Sequence, residues 1–472
     1  AAARANAPVL RYTFNEGRPG LLDDIVAGSV GDAYAAASGG LAINPALLPA
    51  GWFEAQQSAE YRARVAKLTV IERFMGQTWA QVPQLGSQVA HTAMFPGPTL
   101  GDAPTEIKVY AIDAGMNGGQ WALLELAHTG LKEGVYGAIA AQTRLLPYLE
   151  AATAAAATRD FSGIEAMLAA KRAADPAEGL ADAVELSRYL GLQLIERGWH
   201  NLAVLTEQWV REAAANPALT AVLADLRVRI RNDLYLYGTA LGDTLIGSDW
   251  RPNYWTVAVP TLGGDDGNDV ILGGINDYYM SGGPGRDVIY GGPGGEVMYG
   301  GAGRDVFVFG RGSGRDQVEP DMSQIVNGQW SIAEGDRDIL ALLPGVAPED
   351  VRIRRGPFFH NPGVSFPMMT LTILGTDDVF VDGSFFGNER TEGGGRSIAE
   401  VRFADGTVWD VATLRLKAIE GTDQNDGYGG LFGLRGYDDS DDTIDGRAGD
   451  DLLEGMDGRD TLLGGPGIDV LM

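Results

Sequence analysis

The sequence has no cysteine, and this absence excludes both a disulfide framework and a thiolate metal site. Histidine is also rare. The four histidines are His91, His128, His200 and His360, and none lies in the H-E-x-x-H pattern that places two zinc ligands on one helix face. No serine lies in the G-x-S-x-G turn of a hydrolase. From these motifs we predict no catalytic residues and no organic cofactor, and we favour a function other than catalysis.

Basic residues are scarce as well. The 472 residues include 36 Lys and Arg against 63 Asp and Glu, which gives a formal net charge of −27. A nucleic-acid partner is not expected, because little of this chain could neutralise phosphates. No apolar run reaches the roughly 18 residues of a membrane-spanning helix. The first residues show no charged segment followed by an apolar one, so no cleavable secretory signal is expected there.

Glycine, by contrast, is abundant, with 67 residues, and much of it follows a nine-residue period. Five units of the form G-G-x-G-x-D-x-U-x, where U is a large apolar residue, follow one another without a gap. They begin at Gly264, Gly273, Gly282, Gly291 and Gly300. The sixth position departs from Asp in two units, where Tyr278 and Glu296 stand instead. We expect weak or missing sites at those two units and at the isolated unit that begins at Gly238.

The same period returns near the end of the sequence. A unit opens at Gly421, and four further units run through residues 437–472. Their sixth positions are Asp442, Asp451, Asp460 and Asp469. A flexible linker has no reason to keep a carboxylate and an apolar residue in phase, so the repeat indicates a folded structure.

The spacing has a physical explanation. Glycine adopts positive φ at little cost, so paired glycines allow tight turns whose carbonyls face inward. An Asp at position six brings a carboxylate to the same place, and hard oxygen ligands from carbonyls and carboxylates suit Ca²⁺ better than the stricter Mg²⁺. Positions seven to nine predict a short strand with residue eight inward. Two units then form one coil of about eighteen residues, and ions between coils couple binding to folding.

The predicted calcium ligands are the carboxylates at position six and the turn residues around them. In the first block they are Asp243, Gly264, Asp266, Asp269, Gly273, Gly282, Pro284, Asp287, Gly291, Glu296, Gly300, Ala302 and Asp305. In the second block they are Asp426, Asp442, Gly446, Asp451, Gly455, Asp457, Asp460, Gly464 and Asp469.

This nonapeptide resembles the RTX, or haemolysin-type calcium-binding, repeat. The segment "FADGTVWD" between the blocks resembles the haemolysin-type calcium-binding-related region, and we expect it to close the open end of the first roll. The resemblance implies a protein that leaves a Gram-negative bacterium unfolded by type I secretion. It then folds outside the cell, where Ca²⁺ is abundant. Because the sequence stops within a repeat, we expect the second block to continue.

The remainder of the sequence is predicted to be mainly helical. The fold class is therefore a multidomain α+β protein with a mainly α-helical N-terminal half, followed by parallel β-roll blocks that a small antiparallel β-rich capping region separates. We divide the sequence into residues 1–135, mixed and partly helical; 136–236, helical; 237–318, the first RTX block; 319–416, the β-rich capping region; and 417–472, the second RTX block.

Two classes of function remain open. The first is a calcium-dependent structural or adhesive section of a long extracellular or cell-surface polypeptide, with calcium as its partner and with self-association or a surface polysaccharide as further partners. The second is a secreted enzyme, for example one active on polysaccharides, in which the repeats serve secretion and stability. For the second class, Trp52, Trp79 and Trp121 with Glu54 and Asp113 are candidates to line a sugar cleft.

Overall fold

The computed structural model describes residues 63, 66–67, 70–71, 91–95, 105–109, 118–231, 234–239, 241–247, 260–275, 279–319, 325–326, 329–330, 337–357, 367–382, 398–426, 434–435, 441–456 and 458–472. The chain divides into two compact units, Ala1–Ala138 and Ile139–Met472. In the first unit, strands β1 (His91–Phe95) and β2 (Thr105–Val109) pair antiparallel. The proposed sugar cleft of the first unit lies outside the residues whose side chains are described.

Seven α-helices are described. They are α1 (Gly118–Gln142), α2 (Leu146–Ala155), α3 (Ser162–Ala174), α4 (Pro176–Glu196), α5 (Leu202–Ala214), α6 (Thr220–Asp225) and α7 (Val411–Ala418). The start of α4 shows how the sequence sets these bounds. Pro176 has the fixed φ of a first helical residue, and the Asp175 carboxylate accepts hydrogen bonds from the amides of Ala177 and Glu178 at 3.0 and 3.1 Å. No helix within the described part of the chain is long and apolar enough to cross a bilayer.

The strands of the second unit are short and numerous. They are β3 (Val228–Ile230), β4 (Tyr235–Tyr237), β5 (Thr244–Ile246), β6 (Thr261–Gly263), β7 (Val270–Leu272), β8 (Tyr279–Ser281), β9 (Val288–Tyr290), β10 (Val297–Tyr299), β11 (Val306–Phe309), β12 (Arg315–Val318), β13 (Ile325–Val326), β14 (Gln329–Trp330), β15 (Asp338–Leu342), β16 (Val351–Pro357), β17 (Pro367–Ile373), β18 (Val379–Asp382), β19 (Ile398–Arg402), β20 (Val408–Asp410), β21 (Leu434–Arg435), β22 (Thr443–Asp445), β23 (Leu452–Glu454), β24 (Thr461–Leu463) and β25 (Val470–Leu471).

Successive repeat units alternate between two parallel sheets. One sheet contains β3, β5, β7, β9 and β11 as neighbours, and the other contains β4, β6, β8 and β10. We call this pair of sheets, residues 228–309, the first roll. Residue eight of each unit points between the sheets, and Ile271, Met280, Ile289, Met298 and Phe307 are fully buried there. The predicted β-roll is confirmed, since the period of nine sends alternate units to opposite sheets.

Helices cover one of these sheets from outside. The outward side chains of β7 and β9, among them Val270, Leu272 and Val288, belong to the same apolar core as α4 and α5. A Cβ added to Gly191 of α4 would lie 3.1 Å from a Val288 methyl group, so helix and sheet are in close contact. Strands β5, β7, β9 and β11 of this sheet are therefore buried on both faces. On the opposite sheet, Val297 at the equivalent position is only half-buried.

The region between the repeat blocks continues both sheets. We call residues 315–418 the cap. Strand β12 pairs parallel with β10, and β15 pairs parallel with β11. Antiparallel pairs follow at each far edge, β16 with β17 and β19 with β20. A hairpin turn at Asp405 and Gly406 joins β19 to β20, with Gly406 at φ 96°.

The second roll, residues 421–472, repeats the arrangement on a smaller scale. Strands β21, β23 and β25 form one parallel sheet, and β22 and β24 form another. Ile444 and Leu453 are fully buried between the sheets, whereas the flanking Thr443 and Asp445 are exposed. Its described outer positions therefore carry more polar side chains than the helix-covered sheet of the first roll.

Candidate calcium sites

The glycine at position four allows the coils to stack closely. A Cβ added to Gly285 would lie within 3.0 Å of the main-chain oxygen of Gly267, one coil earlier, and Gly303 stands in the same relation to Gly285. In the second roll, a Cβ added to Gly467 would lie within 3.0 Å of the main-chain oxygen of Gly449. Real Cβ atoms do not come this close to a backbone oxygen, so these positions require glycine.

The carboxylates at position six form a continuous chain of hydrogen bonds, which we call the aspartate ladder. The amide of Asp269 donates to Oδ1 of Asp287 at 2.7 Å, and the amide of Asp287 donates to Oδ1 of Asp305 at 2.8 Å. Each bond joins residues eighteen apart. The ladder begins at Asp243, whose amide donates to Asp269 at 2.6 Å. One oxygen each of Asp269, Asp287 and Asp305 is thus committed to holding successive coils in register.

The second oxygen of each carboxylate faces the glycine that opens its own unit. The position of a Cβ on Gly282 lies within 3.0 Å of both Asp287 Oδ2 and the main-chain oxygen of Gly300, one coil later. In the second roll, Asp451 Oδ2 and the Gly464 oxygen meet at Gly446 in the same way. Neighbouring coils therefore bring a carboxylate oxygen and a carbonyl oxygen to the same small space.

These oxygens are out of water. Oδ2 of Asp287 and Oδ2 of Asp451 are buried and accept no hydrogen bond from the described residues. Burying a carboxylate without a compensating partner costs on the order of several kcal/mol. A cation between the converging oxygens would remove this cost, and oxygen-only donors of mixed type are the set that Ca²⁺ prefers. The residues present therefore fit calcium.

The electrostatics of the ladder agree with this reading. Burial raises the pKa of Asp287 well above its ordinary value, and the nearby charge of Asp269 raises the pKa further. Burial likewise raises the pKa of Asp316 to about 7. Without a cation, such carboxyl groups resist ionisation, and a bound cation reverses the preference. Protons and Ca²⁺ thus compete for the same oxygens.

The other edge of the first roll carries a second ladder in which glutamate replaces aspartate. The amide of Glu296 donates to Oδ1 of Asp316 at 3.2 Å. A Cβ on Gly291 would lie 2.9 Å from both Glu296 Oε2 and Asp316 Oδ2. The longer side chain therefore places its oxygen at the same point of the turn. Tyr278 and Asp277, in the preceding unit, lie outside the described residues.

The second roll carries the ladder on both edges. The amide of Asp426 donates to Asp451 at 2.8 Å, and that of Asp451 donates to Asp469 at 3.0 Å. On the other edge the amide of Asp442 donates to Asp460 at 2.9 Å. The remaining predicted ligands of this roll include Gly455, whose added Cβ would meet Asp460 Oδ2 at 2.6 Å. Asp457 lies outside the described residues.

The predicted ligands at position three have a different environment. The main-chain oxygen of Pro284 accepts a hydrogen bond from Gly267 at 2.9 Å, and that of Ala302 accepts one from Gly285 at 2.7 Å. These carbonyls hold neighbouring coils together. Asp266, also at position three, is half-buried. At Gly273, an added Cβ would meet the main-chain oxygen of Gly291 within 3.0 Å, the same convergence of coils as at Gly282.

The repeat pattern missed two members of the ladders. The amide of Asp305 donates to Oδ1 of Asp338 at 2.9 Å, and Asp338 opens β15 of the cap. Asp316, which receives the bond from Glu296, lies in β12. Both residues follow the last glycine unit, but each precedes an apolar residue two positions later, as position six does. That D-x-U remnant is the signal in the sequence that could have identified them.

No group of three or more His, Cys, Asp or Glu side chains in the described part of the chain is placed to hold a metal. The geometry of the turns explains this, since each turn contributes one carboxylate and the other oxygens come from the main chain.

Comparison with known families agrees with the geometry. The model of the RTX calcium-binding nonapeptide repeat matches residues 279–316 and 437–471, in four copies. The chain carries RTX repeats. The model of the haemolysin-type calcium-binding protein related domain matches residues 369–413, within the cap. No curated protein matches the chain. The RTX repeats indicate Ca²⁺ at several sites, which confirms the predicted ion.

Proposed function

We propose that this chain is a structural section of a secreted, extracellular or cell-surface RTX polypeptide, and that Ca²⁺ turns the section from a disordered acidic chain into a stiff body. The observation that carries the proposal is the buried Oδ2 row of the aspartate ladder. Without cations, these carboxylates repel one another within an apolar surround. Ions entering between the coils would therefore supply much of the free energy of folding.

The packing of the second unit supports a rigid body larger than the roll alone. The outer face of β7 and β9 shares a core with the helices, and the inner face of the roll shares a core with the cap and the second roll. Elements that share cores tend to fold together. We therefore infer that calcium ordering of the repeats extends to the helical layer and to the cap.

Export in the unfolded state follows from the same physics. At the low free Ca²⁺ of a cytoplasm, an acidic, glycine-rich segment cannot offset its conformational entropy. Extracellular calcium modules have dissociation constants of roughly 10⁻⁴–10⁻³ M, so Ca²⁺ occupies such sites outside the cell. We therefore propose that the chain leaves the cell by type I secretion. At the cell surface it would serve in adhesion or self-assembly.

The test uses the whole chain in Ca²⁺ and again in chelator. Far-UV circular dichroism should show a large cooperative gain of structure at millimolar Ca²⁺, and sedimentation should show contraction. Electron microscopy of the calcium form should show rigid particles that associate into sheets or filaments. Equal secondary structure in Ca²⁺ and chelator would overturn the calcium-driven folding, and dispersed particles alone would overturn the self-assembly.

A further inference from the structure

Every interior coil of the rolls receives two hydrogen bonds from the coil before it. The carboxylate at position six accepts from an Asp amide, as Asp305 does from Asp287 at 2.8 Å. The carbonyl just before position one accepts from a glycine amide, as Tyr299 does from Gly282 at 2.9 Å. The first coil of a roll has no coil before it, so both acceptors would be left without these donors.

In the second roll, one arginine of the cap supplies both bonds. Arg354 of β16 donates to Oδ1 of Asp426 at 2.7 Å and to the main-chain oxygen of Glu420 at 3.1 Å. Asp426 is position six of the first turn, and Glu420 directly precedes its position one. The guanidinium fork thus meets the same two acceptors that a preceding coil would meet. The Asp426 carboxylate is buried, at 7% exposure.

The other oxygen of Asp426 also has a donor. Oδ2 accepts from the amide of Thr422 at 2.7 Å. Threonine stands here at position two, where Gly283 and Gly301 of the first roll have positive φ. Both oxygens of Asp426 are therefore hydrogen-bonded. The position-six carboxylate of the interior coil, Asp451, has its Oδ2 buried without a hydrogen-bond partner among the described residues.

The start of the first roll shows only part of this arrangement, with two arginines, because Oδ1 of Asp243 is buried and accepts no hydrogen bond from the described residues. Arg229 donates to the main-chain oxygens of Tyr237 and, at 3.4 Å, Gly238. Arg227 directly precedes β3 as Asp243 precedes β5, and its guanidinium lies 3.9 Å from Oδ1 of Asp243. Oδ2 of Asp243 accepts from the amide and the hydroxyl of Thr239 at 2.7 and 2.6 Å.

We propose that Arg354 closes the first turn of the second roll in place of a preceding coil, so that Asp426 is held by Arg354 and Thr422 and contributes to no calcium site. A guanidinium is planar, permanently charged and able to bind a carboxylate and a carbonyl at once, which suits it to this task. The second roll then begins on a turn whose charge is already balanced, and its first ion binds one coil further on. This inference rests on the proposed calcium-driven folding for its stoichiometry but not for its contacts.

The test compares calcium stoichiometry in two Asp→Asn variants of the full chain by equilibrium dialysis. Asp426→Asn should bind as many ions as the unaltered chain, whereas Asp451→Asn should lose at least one. Equal losses in the two variants would overturn the proposal. An unaltered chain that binds no Ca²⁺ would instead refute the proposed function.

A second measurement tests the arginine directly. In Ca²⁺, hydrogen exchange at the amides of Asp426 and Leu452 should be at least tenfold faster in Arg354→Met, because both donors of the closing fork are lost. Arg352→Met changes the same residue type on the same side of β16 and should leave exchange unchanged. Arg354→Lys has one ammonium group for two acceptors, so its exchange rate should lie between those of the unaltered chain and Arg354→Met. Equal exchange in the two Met variants would show that Arg354 does not close the roll, even if no ion binds.

Discussion

The amide of Asp269 donates to Oδ1 of Asp287 across eighteen residues, at 2.7 Å, while Oδ2 of Asp287 points to the oxygen-lined turn at Gly282. One side chain therefore serves both the coil register and the cation. The amide of asparagine keeps an oxygen for the register and removes the charge. We expect Asp287→Asn to raise the Ca²⁺ concentration at half-folding about tenfold or more, measured by circular dichroism during calcium titration.

Asp265→Asn is the matched control for that experiment. Asp265 lies in a neighbouring turn of the same roll, is exposed, and has φ 71°, which asparagine also tolerates. Its loss of charge is the same, but it takes no part in the ladder. Equal shifts of the titration midpoint in the two variants would mean that net charge, and not the ladder geometry, controls calcium affinity.

Close stacking of the coils predicts a strong effect at Gly285. An alanine Cβ there would meet the backbone oxygen of Gly267 within 3.0 Å, and a backbone oxygen cannot move aside as a flexible side chain can. We expect Gly285→Ala to destabilise the calcium form by about 2–4 kcal/mol, in the range of severe packing defects. Gly163→Ala in α3, where nothing lies within 4 Å, should instead be neutral or stabilising by up to about 1 kcal/mol. Denaturant unfolding in saturating Ca²⁺ measures both changes.

How far the sequence predicts this structure depends on the range of the interaction. The rolls are predictable because each turn depends on residues within one unit, and the period repeats that local information. The closing contact of Arg354 with Asp426 spans 72 residues, and no local pattern marks it. Asp338 is intermediate, since its D-x-U context is local but the glycines that signal a turn are absent.

The helix-covered face was not predicted, and the repeat does not mark it. Position nine is Leu272 or Tyr290 in units of the covered sheet and Ser281 or Tyr299 in units of the open one, so tyrosine occurs on both. The repeat alone cannot say which segment supplies that layer, because α4 and α5 reach it through tertiary contacts.

The covered face predicts a difference between two valines at the same repeat position. Val288 packs under α4 and is 4% exposed, while Val297 lies on the opposite sheet and is half-buried. Threonine keeps the branched shape but adds a hydroxyl. Val288→Thr should destabilise the calcium form by about 1–3 kcal/mol, the cost of burying a hydroxyl without a partner, whereas Val297→Thr should stay within about 0.5 kcal/mol. Similar losses by thermal unfolding in Ca²⁺ would argue that helices do not cover this sheet.

His200 joins the helical layer to the cap and makes the stability of this contact depend on pH. The ring is 1% exposed, its Nδ1 atom lies 2.6 Å from the Leu342 oxygen, and its Nε2 atom lies 3.2 Å from the Ile195 oxygen. Burial lowers the pKa of His200, and the charges of Arg402 and Arg159 lower it further, while the two carbonyl contacts act in the opposite direction.

The sign of the pH effect follows from that shift. An unfolded histidine gains its proton near pH 6.5, whereas the folded ring stays neutral to lower pH. The unfolded state then binds more protons, so the stability is complete above about pH 6.5 and declines as the pH falls toward the lowered pKa. The glutamine side chain of His200→Gln does not titrate in this pH range, so this contribution to the pH dependence is absent from the variant. In saturating Ca²⁺, the unaltered chain should lose more stability between pH 7.5 and pH 5 than His200→Gln, and the difference isolates the histidine from the carboxylates. Parallel stability curves for the two chains would mean that the pKa of the ring does not change on folding, and the prediction would be wrong.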